Sequence, residues 1–203
     1  LVAVYIWSVY TECMHGMPSE RPVRVAVPVN LRPYFNSITT KNFFVMVSAE
    51  FHPTKEIYTF EEVLKSVSES LRSQISRENL EKLFSYNVSN EKLLAARIVP
   101  LFLKNLAMRY VYTTSALANT ATVTNIGNIS VSEEYRPYVE MFHAFLAMSK
   151  GQHLKGTICS YGDTLVFSFS YDLTDTSVQR GFFRKIAADG IAVEIETNGV
   201  NYE

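Results

Sequence analysis

Two asparagine-bearing stretches in this sequence stand where a strand pattern gives way to a loop. The first is "VNLRPYF" (residues 29–35), followed shortly by "NFF" (42–44); the second is "TNIGNIS" (124–130). An amide side chain carries both donors and an acceptor. At such a place it can tie a turn to the backbone, because Asn fits turns and tolerates left-handed conformations. It can also face a cleft and donate to a developing oxyanion. Both roles are open for each stretch.

The usual proton movers offer less. Four histidines are present, His15, His52, His143 and His153. His15 falls in a Gly/Pro loop, His143 in an apolar stretch and His153 ahead of a hairpin signal. "HPTKE" sets Glu56 four residues after His52, but Pro53 rules out one helix face carrying both, so a structural or solvent role is expected for His52. There is no Gly-x-Ser-x-Gly nucleophile elbow, no phosphate-cradling glycine-rich loop and no Cys/His spacing for a metal, so the metal set is expected to be empty. Cys13 and Cys159 are expected to be reduced, buried thiols of a cytoplasmic protein.

The elements that must position these residues follow from periodicity. Residues 24–30 and the "NFFVMVSAEF" segment alternate as strands, with Pro28 demanding an edge or a bulge. Residues 1–13 repeat apolar side chains at helical spacing. Thr59 and Glu62 form a capping box ahead of "EEVLKSVSESLRSQI", whose apolar face includes Val63, Val67 and Leu71. Further helices are expected from Ser76 and from Ser89, the latter kinked or broken by Pro100. "TATVTNIGNISV" is strand-like. "YVEMFHAFLAM", "LKGTICSY" and "TLVFSFSYD" are expected as three consecutive strands, the last two joined through Tyr161-Gly162-Asp163. A helix capped by Thr174 and stopped by Gly190, then a final strand "IAVEIET", complete the chain. This pattern predicts one α/β domain over residues 1–203, a two-layer sandwich with a mixed, largely antiparallel sheet covered by helices.

Composition narrows the function. Apolar residues make up 47% of 203, enough for a substantial core. A formal charge of −1 gives no basic field for nucleic acid. No apolar run reaches the roughly 18 residues of a membrane span. The chain starts at Leu1, inside an apolar segment, which suggests a piece of a longer parent.

"VPVNLRPYF", the Asn-Phe-Phe strand start, a long helical insert, "TNIG" and the closing "LVFSFSYDLTDTSVQRGFFRKIAADGI" together resemble the C-terminal half of the chloramphenicol acetyltransferase-like superfamily. That superfamily includes CoA-dependent acyltransferases, alcohol acetyltransferases and peptide-synthetase condensation domains; the bacterial alcohol acetyltransferase-like group is the nearest in pattern. The resemblance runs from Val23 to Ile195 and implies one lobe of a bilobal enzyme with a tunnel between lobes. Acyl-CoA is then the co-substrate of the parent, an alcohol or amine the acceptor, and the N-terminal lobe the missing partner. The family's general base sits in a His-x-x-x-Asp motif that this chain lacks, and the Asp-Phe-Gly-Trp-Gly motif is absent too. The resemblance therefore implies no catalytic residue here. It implies that Arg32 anchors the strand end beside Asn30, that Asn42 pins the crossover between lobes, and that Thr124, Asn125 and Gly127 line the tunnel. Within that set Asn125 is the preferred oxyanion donor, and Gly127 permits close backbone approach. An apolar flank left open would promote self-association. A non-catalytic binding or assembly module on the same fold is the alternative, and a plain α/β domain with a small-molecule cleft a third.

Overall fold

A computed structural model of the chain describes residues 1–92, 99–149 and 151–198. Five strands form one mixed sheet in the order β2-β1-β3-β4-β5. They are β1 (Val23–Asn30), β2 (Phe44–Phe51), β3 (Ala121–Asn128), β4 (Leu154–Tyr161) and β5 (Thr164–Tyr171). β1 pairs antiparallel with β2 and β4 with β5, each over eight residues; β1–β3 and β3–β4 are parallel and shorter. The α/β class and the mixed sheet expected from the sequence are what the chain forms.

Alternation sorts each strand into two faces. Val23, Val25, Val123, Ile158 and Phe51 point to one side. There they join Ala3, Tyr5 and Ile6 of α1 (Val2–Ser8), Val63 and Val67 of α2 (Phe60–Gln74), and Val178, Phe182 and Ile186 of α5 (Ser177–Ala188) in the main core. α1 runs on into a π-helical turn, Val9–Cys13. The Thr59–Glu62 capping box is present at the start of α2, with both reciprocal bonds made. Where β4 crosses the core, a side chain at Gly156 would place its Cβ 2.7 Å from the Phe167 ring, so only glycine lets that ring lie flat on the strand.

The outer edge of β2 is closed by α2 at Ser48 and Glu50. Ser48 N–H donates to Gln74 Oε1 (3.0 Å), Gln74 Nε2 donates to the Ser48 carbonyl (2.6 Å), and Glu50 N–H donates to Ser70 Oγ (3.1 Å). Two helix side chains thus take the place of a sixth strand and satisfy backbone groups that an open edge leaves bare.

Several expectations are corrected. Residues 139–148 form an unpaired segment lying across β4, preceded by a 3-10 turn, Arg136–Tyr138; they are not a strand. Residues 191–198 are likewise not in the sheet. Both carry strand-like alternation, but no strand lies beside them to pair with. α3 (Arg77–Lys92) continues through Ser89 without a break, and the expected helix from there meets residues 93–98, which lie outside the described residues. Pro100 precedes α4 (Leu101–Leu117), accepting from the Leu103 and Lys104 amides, a position where proline's missing donor costs nothing. The N-cap of α5 is Thr176, not Thr174, and makes no side-chain cap bond; the Asp175 carboxylate just before it accepts from Ser177 N–H and Oγ. Cys159 is buried as expected, but Cys13 is exposed. Partial desolvation, then the Asp175 and Glu12 carboxylates, push the Cys13 thiol's pKa up, so it stays protonated at neutral pH.

Candidate functional site

The ladder between β1 and β3 stops early. Val25 and Ala26 pair with Ala121 and Thr122, and beyond them β1 continues only with β2 while β3 continues only with β4. The cause lies at Pro28. Leu31 N–H bonds to the Phe43 carbonyl, so odd-numbered residues of β1 face β2; Arg24 exchanges bonds with Thr120, so even-numbered ones face β3. Pro28 belongs to the second set, and the donor it lacks is the one that would have extended the β1–β3 ladder. The two parallel strands splay at their carboxyl ends. The chain leaves β1 towards β2 and β3 towards β4, so the split is also where connections depart in opposite directions, the usual place for a ligand crevice in such sheets.

An open cleft of about 380 Å³ fills this split, on the sheet face away from the helices. Its polar lining is Asn30, Arg32, Asn42, Thr122, Thr124 and Asn125. The two stretches singled out in the sequence, some ninety residues apart, therefore meet at one place. Gly127 is not among the lining residues.

Local structure explains why each side chain points there. Leu31 is fully buried in a second core with Val45, Val47 and Leu80, so its neighbours Asn30 and Arg32 are turned out. Phe43 packs edge-on against Phe84 of α3 at 5.5 Å, which leaves Asn42 and Phe44 on the cleft side. Asn30 Oδ1 accepts from Arg32 N–H at 3.1 Å. Arg32 Nη2 donates to the carbonyls of Thr39 (3.1 Å) and Lys41 (2.8 Å), folding the 33–41 loop back on itself. Its guanidinium has no carboxylate within ion-pair distance among the described residues, so a positive charge stands uncompensated at the cleft mouth.

Asn125 and Gly127 flank a bulge. Asn125 pairs with Ile158 and Gly127 with Cys159, so Ile126 is the extra residue. Gly127 has φ +87, a conformation that calls for glycine, and a Cβ there would meet nothing of the protein within 4 Å. Asn125 Oδ1 accepts from Gly127 N–H at 2.9 Å. With the oxygen so used, the Nδ2 donors are the end of the amide left for a ligand.

Among the lining residues there is no histidine, carboxylate, lysine, tyrosine or cysteine. His52 is 3.4 Å from Glu50, itself 2.9 Å from Arg24 Nε in an ion pair not aligned as a hydrogen bond. His153 Nδ1 is 2.9 Å from Asp172 and His143 Nε2 is 3.5 Å from Glu196. None of these borders the cleft. It can bind and orient a polar or anionic group, and holds no side chain that takes a proton near neutral pH. No three-residue grouping of His, Cys, Asp or Glu suited to a metal occurs among the described residues, and no described helix is long and apolar enough to cross a membrane.

Sequence reasoning missed Lys155. It is 6% exposed, on β4 beside Thr122, and its ammonium donates to the Ala147 carbonyl (2.7 Å) and Ser149 Oγ (2.5 Å). It thereby holds the segment whose Leu146 forms one cleft wall. The signal was a lysine on the face of "LKGTICSY" shared with Thr157 and Cys159, both buried.

No protein-family profile and no curated protein sequence matches the chain. Among solved structures it is similar, at 10% identity and a TM-score of 0.42, to one described as the molecular basis for condensation domain-mediated chain release from the enacyloxin polyketide synthase. The likeness covers 98% of this chain, which spans 38% of the length of that one.

Proposed function

We propose that this chain is one lobe of an acyltransferase, supplying walls and donors for a thioester-bound acyl group but not the general base. Transfer to an alcohol or amine acceptor needs a proton acceptor from a companion lobe. The carrying observation is the composition of the cleft. Uncharged donors and one unpaired guanidinium converge at the carboxyl ends of two splayed strands, with no proton-accepting side chain among them. An anionic donor such as acyl-CoA suits the Arg32 charge. A thioester carbonyl within reach of Asn125 Nδ2 would gain a hydrogen bond that strengthens as its oxygen becomes negative. Acyl-CoA enters as co-substrate; the reading calls for no resident cofactor, and the chain alone is inactive.

The test is calorimetric titration of the chain with acetyl-CoA and with CoA, alongside thioester consumption by a longer polypeptide carrying this chain. Saturable binding weakened tenfold or more by Arg32→Met, with turnover only in the longer polypeptide, supports the reading. Binding of neither compound, and no thioester consumption, removes it. The absence of a proton acceptor also favours a second reading, a binding or assembly module on the same fold. Saturable binding without turnover in any longer form selects that one.

A further inference from the structure

We propose that residues 139–148 are a hinged strap beside the cleft, pinned down by Lys155 and Cys159, and that lifting it removes the Leu146 wall and uncovers the Cys159 thiol. The strap runs from the Arg136–Tyr138 turn to the bridge between Ser149 and Gln152, where Gly151 has φ +84. Between those ends no residue from 140 to 148 makes a backbone–backbone hydrogen bond among the described residues. None of its residues is fully buried, and none belongs to either core. A segment with so few backbone bonds and buried apolar contacts opens before the body of a protein unfolds.

A short set of side-chain ties holds it down. Lys155 Nζ donates to the Ala147 carbonyl (2.7 Å) and to Ser149 Oγ (2.5 Å). Cys159 Sγ donates to the Phe142 carbonyl (3.1 Å), and the Phe142 and Tyr161 rings meet edge-on at 5.3 Å. On the outer side His143 Nε2 lies 3.5 Å from Glu196, which belongs to a stretch itself outside the sheet.

The Lys155 pin is the one built to let go. Its ammonium is 6% exposed, yet among the described residues no carboxylate lies within ion-pair distance, and both acceptors are neutral. A buried charge so placed carries a desolvation cost that opening returns, because water then solvates it. The partial burial of Phe142 and Leu146 opposes that release. An element balanced between two such terms has two positions. Leu146 lies between the pinned carbonyls of Phe142 and Ala147, so the cleft wall moves with the strap. The inference concerns that wall and does not depend on the acyl-transfer reading of the cleft.

Thiol labelling tests it. Cys13 is exposed, so a Cys13→Ser chain keeps one reporter, Cys159, at 1% exposure. Its reaction with N-ethylmaleimide is followed from native conditions through the urea transition. Labelling at least tenfold faster than global unfolding allows is expected, with a weaker urea dependence. Lys155→Met is expected to speed it a further tenfold or more while leaving the urea midpoint no lower, since the buried charge goes with the pin. Ser149→Ala removes one acceptor, touches no core residue and is expected to speed it several-fold; it decides the matter if circular dichroism finds Lys155→Met unfolded. In a chain with Cys13→Ser and Cys159→Ser, Thr122→Cys moves the reporter to the cleft lining, in register with Lys155. Adding Lys155→Met is expected to speed labelling there too. Cys159 labelling that merely follows global unfolding overturns the proposal. So does a Lys155→Met chain whose labelling and urea midpoint change in step, labelling indifferent to both substitutions, or a reporter at 122 that Lys155→Met leaves unchanged.

Discussion

Asn125 Oδ1 and the backbone N–H of Gly127 lie 2.9 Å apart, closing a side-chain turn over the bulge in β3. That bond gives one residue two separable duties: its oxygen shapes the strand, and its nitrogen is available to the cleft.

Two substitutions therefore part company. Asn125→Asp keeps an acceptor for Gly127 and removes the donors, whereas Asn125→Ala removes both. Loss of the turn bond is expected to cost about 1 kcal/mol of stability in the alanine variant, with the aspartate variant close to the parent. Both are expected to slow acyl transfer, by roughly 10²-fold for a lost oxyanion donor. Urea unfolding and thioester turnover of a polypeptide carrying the chain measure the two effects. Full activity in the aspartate variant would take Asn125 out of the chemistry.

Tyr5 sits at the centre of the main core, fully buried, stacked on Phe169 at 5.8 Å and edge-on to Phe182 at 6.5 Å. Among the described residues its hydroxyl finds no hydrogen-bond partner, and burial pushes its pKa far above the usual phenol range. Removing an unsatisfied buried hydroxyl relieves a desolvation cost, so Tyr5→Phe is expected to raise stability by about 1 kcal/mol. A lower melting temperature in that variant would mean the hydroxyl has a partner after all.

Stability should decline on the acid side. Asp175 is held below its ordinary pKa, chiefly by the Ser177 amide and then by its hydroxyl; Glu62 is held down by Lys55 first and the Thr59 amide next. In each case the folded pKa lies below the unfolded one, so the unfolded chain binds more protons over that interval. The contribution is fully present above the unfolded value, about pH 4, and is lost as pH falls through the lowered folded value. Denaturant midpoints are expected to fall from pH 5 to pH 2. Asp175→Asn keeps an acceptor for Ser177 without the titration and should flatten that limb. Equal slopes in parent and variant would count against the assignment.

Strands β1 to β5 were legible because alternation reports which side chains need burial. The same signal marked residues 138–148 and 191–197 equally well, yet both lie outside the sheet. Alternation cannot say whether a neighbouring strand stands within bonding distance. The site was legible as residue types only. Asn30, Arg32, Asn42, Thr124 and Asn125 were picked out as two separate stretches; what joins them is the strand order β2-β1-β3, which no local pattern encodes. Gly127 stands at the bulge with a positive φ, a backbone requirement that the residue type marks without naming its cause. Lys155 escaped notice since its partners come from a segment expected to be part of the sheet.

Ser70 and Gln74 seal the Ser48–Glu50 stretch of the β2 edge. While α2 stays folded, backbone ladders cannot form along Ser48–Glu50, and the stretch of that margin open to fibrillar stacking is short, at Phe44 and Met46; melting of α2 lengthens it. Aggregation on warming would then keep pace with the loss of that single helix, and a Gln74→Ala chain would be the first to cloud.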